Sequence, residues 1–93
     1  MIGSDSSLTR EVVIKNELGI HARPASRIAE IARKARSRVW FIKNHEKVDA
    51  SSIIDLLSIE GRSGSKIIIK IDDKLDIGVL NSIVQLIEKG FEE

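Results

Sequence analysis

Two residues at one predicted helix start have the types and spacing to do chemistry together. In Leu18-Gly19-Ile20-His21-Ala22-Arg23-Pro24-Ala25, a histidine, an arginine and a helix start coincide. Imidazoles titrate near neutral pH, so a fraction of such a side chain is a neutral nucleophile there. Guanidinium is a planar fork of donors, and the free N–H groups at a helix start favour an anion. A phosphoryl group on His21 would lie where those amides and Arg23 can hold it. A solvated loop histidine beside a helix cap fits the same spacing, and His-x-Arg-Pro by itself does not separate the two.

The helix follows from the surrounding residues. Gly19 permits a tight or left-handed turn. Pro24 has a fixed φ and no N–H, which suits the first turn of a helix and few later places. Ala25, Ile28, Ala29 and Ala32 recur at i, i+3, i+4 and i+7, one face of an amphipathic helix over about 22–35.

The remaining chain reads as short strands and two further helices. Residues 11–16 are β-branched and form a first strand; 38–43 form a second, with Trp40 and Phe41 alternating in direction. Asn44-His45 is a hairpin turn leading to a third strand at 46–50, so His45 is read as a turn residue. Ser51 or Ser52 can cap a short helix over 53–59. Ile53, Leu56 and Leu57 would face the core, leaving Ile54 partly exposed as a candidate docking contact. Residues 66–72 are the strongest strand, with Ile67, Ile69 and Ile71 on one face. Asp76 can cap a last helix over about 77–89, which Gly90 ends. The order is β-α-β-β-α-β-α, and the amphipathic helices need a sheet to pack on, so a two-layer sandwich is expected. Residues 1–8 read as a loose, flexible tail and 9–93 as a single domain.

Composition narrows the classes. A chain of 93 residues with 42% apolar side chains can build one core, and with only 3% aromatics that core must be aliphatic. A net charge of +1 argues against strongly electrostatic binding to nucleic acid or membrane. The absence of cysteine excludes disulfides, thiolate metal sites and a cysteine nucleophile. No metal-ligand set is visible, and neither a metal nor a cofactor is expected. No apolar run reaches the ~18 residues of a membrane span and no signal peptide is visible, so a cytoplasmic protein is the expectation. Charge is uneven: residues 1–50 hold ten Lys/Arg against six Asp/Glu, and residues 51–93 hold five against eight. The basic run at 33–38 is a solvated helix end or a docking surface for an acidic partner.

Three motifs together resemble HPr, the histidine-containing phosphocarrier family of the phosphoenolpyruvate-dependent phosphotransferase system. They are Gly19-Ile20-His21-Ala22-Arg23-Pro24-Ala25, Ser52-Ile53-Ile54-Asp55-Leu56-Leu57-Ser58-Ile59, and Gly64 before the isoleucine-rich strand. They align at one constant offset, and the resemblance covers residues 9–91. It implies an α+β open-faced two-layer sandwich, with a four-stranded antiparallel sheet of order 1-4-2-3 covered by three helices. It further implies that His21 accepts and donates a phosphoryl group through Nδ1, that Arg23 stabilises it, and that Ala22 and Pro24 support the site. Ser52 would match a serine modified by an HPr kinase in some bacteria. Ile53, Ile54, Asp55, Leu57 and Arg27 would form the docking surface. Enzyme I and EIIA-type acceptors are the implied partners of a monomer, a carrier without independent catalytic turnover. Asp55 and Lys34-Ala35 depart from the sugar-transport members. The Asn16-x-Leu18-Gly19 lead-in and the Gly90-Phe91-Glu92-Glu93 tail are closer to the nitrogen-related branch.

Two other readings compete. A regulatory module of the same fold would act by docking on a kinase or transcription factor, and it could dispense with His21 and Arg23. A nucleic-acid binder would want exposed aromatics on the sheet, where at most one of Trp40 and Phe41 can point outward.

Overall fold

Strict alternation in the isoleucine-rich strand builds the centre of the sheet. The computed structural model describes residues 6–92. Strand β4 (Lys66–Ile71) buries Ile67, Ile69 and Ile71 completely, as a period of two requires. It lies between β1 (Thr9–Val13) and β2 (Val39–Lys43), and β3 (Glu46–Asp49) forms the far edge. All pairings are antiparallel, with order β1-β4-β2-β3, the order expected. Asn44 and His45 join β2 to β3 with φ of 50° and 69°, the left-handed pair that a tight hairpin turn needs.

Three helices cover one face: α1 (Ala22–Ala32), α2 (Ile53–Ser58) and α3 (Ile77–Glu88). The buried face of α1 is Ala25, Ile28, Ala29 and Ala32, as the spacing predicts, and its alanines permit close approach. The core comprises these residues, Leu56, the inner strand positions Val12, Val39, Phe41 and Val48, and Leu80, Ile83 and Ile87 of α3. Burying each large aliphatic side chain contributes about 1.5–3 kcal/mol before entropy is counted. The architecture is the expected open-faced α+β sandwich. Residues 1–5 of the expected tail lie outside the described residues; Ser6–Leu8 forms a 3-10 turn, and Leu8 packs against the core.

Four local expectations are corrected. α1 stops at Ala32, short of residue 35, because the next segment is drawn to α3: the buried Asp76 carboxylate accepts from the amides of Arg36 (2.8 Å) and Ser37 (3.0 Å). Asp76 therefore holds the α1–β2 connection and its side chain does not cap α3; the capping carboxylate nearby is Asp73, which accepts from the Leu75 amide in a 3-10 turn. β1 begins earlier than expected and ends at Val13, since residue 16 already belongs to a turn in which the Gly19 amide donates to the Asn16 carbonyl. Leu57 faces outward, not into the core, and on α2 only Leu56 is fully buried.

Candidate functional site

The turn before α1 is fixed from two sides. Gly19 has φ of +67°, where a side chain is disfavoured, and a Cβ there would sit 2.3 Å from the Gly61 carbonyl oxygen. The Ile20 amide donates to that same oxygen (2.8 Å), and the Asn16 Nδ2 donates to the Gly19 carbonyl (2.7 Å). With Ile20 buried, the next residue leaves the turn at a defined angle.

That residue is His21, at the N-cap position of α1 with extended backbone. Its amide donates to Gly19 O (3.1 Å), and its carbonyl accepts from the Ala25 amide (2.9 Å), the first bond of the helix. The imidazole does not cap the helix amides and is half-buried. The amides of Ala22 and Arg23 precede the first helical bond, so they have no acceptor four residues back within the helix. Pro24 takes the third helical position, where its missing N–H costs nothing, and is buried. Arg23 is exposed. The structure thus brings His21, Ala22, Arg23 and Pro24 together at one helix start, with Ala22 and Arg23 exposed.

One turn further along, Arg27 is engaged. Its guanidinium donates to the Phe91 carbonyl (2.8 Å) and lies 3.4 Å from the Glu92 carboxylate. Gly90, Phe91 and Glu92 are three successive left-handed residues that fold the chain back and bury the Phe91 ring. Arg23, Pro24, Arg27, Phe91 and Glu92 line an open groove of about 430 Å³. The signal for this strap is a single apolar residue directly after a helix-ending glycine, where a hydrophobic contact back to the last turn is common.

The start of α2 is anchored separately. The Ser52 hydroxyl accepts from the Asp55 amide (3.2 Å), the cap that the sequence predicts. Just upstream, Asp49 accepts from the Ser51 amide (2.8 Å), the Ser51 hydroxyl (2.7 Å) and Arg38 (2.8 Å). Burial pushes the Asp49 carboxyl up, but the Ser51 hydrogen bonds and the Arg38 charge outweigh it and hold it below the ordinary carboxylate value. Anchored this way, α2 shows solvent an apolar stripe: Ile54 is 79% exposed and Leu57 38%, with Ile53 and Asp55 half-buried between core and surface. α2 packs beside α1. Sequence spacing gives Leu18 no role, yet it is 72% exposed one residue before the turn; a lone leucine in a polar loop is its only signal.

On the opposite face of the sheet, Trp40 points outward and Phe41 inward. The indole N–H donates to Asp72 (3.1 Å), and Lys47 lies 4.2 Å from the ring centroid, covering the face on which a base would stack. Among the described residues no cluster of three His, Asp or Glu side chains could hold a metal ion, and no helix is long and apolar enough to cross a membrane.

Residues 8–89 match the family model described as the PTS HPr component phosphorylation site. The chain is 37% identical over 86 residues to phosphocarrier protein NPr of Proteus mirabilis, covering 90% of this chain and 94% of that one. It is 27% identical over 86 residues to phosphocarrier protein HPr of Treponema pallidum, covering 92% and 98%. The crystal structure of HPr-C-His from Thermoanaerobacter tengcongensis matches with a TM-score of 0.86 and 32% identity, over 91% of this chain and 96% of that chain. A helix that opens on His21-Ala22-Arg23-Pro24, the β1-β4-β2-β3 sheet and these matches agree: the chain belongs to the HPr family of phosphotransferase-system phosphocarriers.

Proposed function

We propose that His21 takes a phosphoryl group from phosphorylated Enzyme I and passes it to a histidine of an EIIA-type acceptor. The observation that carries this reading is the placement of His21 at the N-cap of α1, directly before the Ala22 and Arg23 amides that open the helix, with the Arg23 side chain exposed two residues on. In each transfer an imidazole nitrogen forms a bond to phosphorus as the donor's phosphorus–nitrogen bond breaks. The negative charge spreads over the three phosphoryl oxygens, which free N–H groups and a guanidinium stabilise. A phosphoramidate must be held without being locked, and a half-buried helix terminus does this while each partner supplies the remaining side of the site.

Docking falls to α2. Ile54 and Leu57 provide the apolar contact, Ile53 and Asp55 its edge, and Arg27 the adjoining surface of α1. Asp55 calls for a cation on the partner. Ser52 is the position at which a kinase of the HPr type would act; a phosphate there would sit at a helix start, locally favourable, and would repel an acidic partner face. In this reading residues 9–93 act as one domain and the carrier works as a cytoplasmic monomer.

The test is a reconstituted relay of phosphoenolpyruvate, Enzyme I, this chain and an EIIA-type acceptor. Arg23→Ala is expected to slow acceptance by roughly tenfold to a hundredfold without abolishing it. Unchanged kinetics would remove Arg23 from the site, and failure of the wild-type chain to relay phosphoryl groups between its cognate partners would overturn the reading.

A further inference from the structure

The seat beneath the His21 turn is held by a cation that phosphoryl transfer does not use. Lys43 closes β2, and its ammonium donates to the carbonyls of Ile59 (3.1 Å) and Glu60 (2.9 Å). Ile59 is the C-cap of α2, and Glu60 has φ of 52°, so the chain reverses there. A non-glycine residue is disfavoured in that conformation, and the exit of a helix leaves carbonyls that need donors. One ammonium with three N–H bonds reaches both carbonyls, adding to the Arg62 amide, which also donates to the Glu60 carbonyl (2.9 Å).

Immediately after this reversal comes Gly61, whose carbonyl receives the Ile20 amide at 2.8 Å. Gly61 is buried, and a Cβ on it would lie 2.8 Å from the Ile20 Cδ1. A Cβ on Gly19 would meet the Gly61 oxygen at 2.3 Å. Gly19 therefore lets backbone rest on backbone, and Gly61 leaves room for the Ile20 side chain to pack on the same segment. Whatever fixes the Gly61 carbonyl also fixes the direction in which the chain leaves the turn for His21.

We infer that Lys43 is a positioning residue for the phosphoryl site: by holding the carbonyls of Ile59 and Glu60 it sets the Gly61 seat on which Gly19 and Ile20 lie. This rests on the reading of His21 as the phosphoryl acceptor. The same peptide segment joins the exit of α2 to the turn.

The experiment compares the full chain with Lys43→Met, which keeps the apolar stem and removes the ammonium, and with Lys43→Arg, which keeps a cation. Amide hydrogen exchange is read at Ile20 and, as the measure of global opening, at Ile69 in the sheet centre. Steady-state acceptance from phosphorylated Enzyme I gives kcat and KM. For Lys43→Met the Ile20 amide is expected to exchange about tenfold faster relative to Ile69, with kcat lowered severalfold and KM kept. Lys43→Arg should recover part of both. An unchanged Ile20-to-Ile69 ratio, or a raised KM with kcat kept, would overturn the proposal. If the wild-type chain takes no phosphoryl group, the reading of His21 fails and the proposal with it, a result told apart because the exchange ratio still reports the hold of Lys43 on the turn.

Discussion

Replacing Gly19 with alanine should be among the most damaging single changes near the site, for two separable reasons. At φ of +67° a side chain costs about 1 kcal/mol. The new Cβ would also lie 2.3 Å from the Gly61 oxygen and 3.0 Å from the Arg62 Cα, where ordinary contact begins at 3.4 Å. The turn must then move by about 1 Å, which takes the Ile20–Gly61 hydrogen bond from 2.8 Å beyond bonding distance. Losing a buried bond and leaving its donor unmet costs about 1–3 kcal/mol more. The sum, about 2–4 kcal/mol, is a large share of the ~5–15 kcal/mol that stabilises a small domain. At ~4–8 °C per kcal/mol for a chain of this size, Tm should fall by roughly 10–30 °C. Thermal and urea denaturation followed by circular dichroism reads this directly. Gly19→Asn separates the causes, because asparagine tolerates the left-handed conformation but still carries a Cβ. It should recover the backbone share and still lose about 1–3 kcal/mol. A Gly19→Ala variant within about 0.5 kcal/mol of wild type would refute the close-approach argument, and an asparagine variant of full stability would reduce it to backbone conformation alone.

Three further outcomes are expected. Ser52→Ala should cost on the order of 1 kcal/mol in urea denaturation by removing the cap on the Asp55 amide, whereas Ser52→Asp should keep most of it. Asp49→Asn bears on acid stability: the carboxyl is held below its ordinary 3.8, so its contribution is present above that value and is lost as pH falls through the lower folded value. The stability gap between wild type and Asp49→Asn should therefore be constant above about pH 5 and close in acid; a gap that widens in acid would contradict the assignment. Ile54→Glu should leave stability within about 0.5 kcal/mol, since the side chain is 79% exposed, while raising KM for the phosphoryl donor; an unchanged KM would remove Ile54 from the docking surface.

What was legible in the sequence was local. Alternation in 66–72 and the 3.6-residue recurrence from Ala25 to Ala32 led to the right faces, since each depends only on neighbours along the chain. The Ser52 cap is likewise a contact across three residues. Illegible features are pairings over long separations. Asp76 meets Arg36 across 40 residues, Arg27 meets Phe91 across 64, and Lys43 meets Glu60 across 17. No periodicity announces such partners, so neither the end of α1 nor the role of Asp76 follows from the sequence. Leu57 differs for another reason: six residues, apolar around most of the circumference, do not define which side of α2 faces inward. At the candidate site, the gathering of His21, Arg23 and Pro24 at a helix start is a property of consecutive residues and could be read directly. Its support by Gly61 and Lys43 could not, because those residues come from other elements.

The most direct test of the central claim is intact-mass measurement after incubating the full chain with phosphoenolpyruvate and its cognate Enzyme I, with His21→Ala in parallel. The account predicts one acid-labile phosphoryl adduct on the wild-type chain, and none on a His21→Ala variant that keeps the wild-type urea midpoint. An adduct that persists in His21→Ala, or no adduct on the wild-type chain, would contradict it.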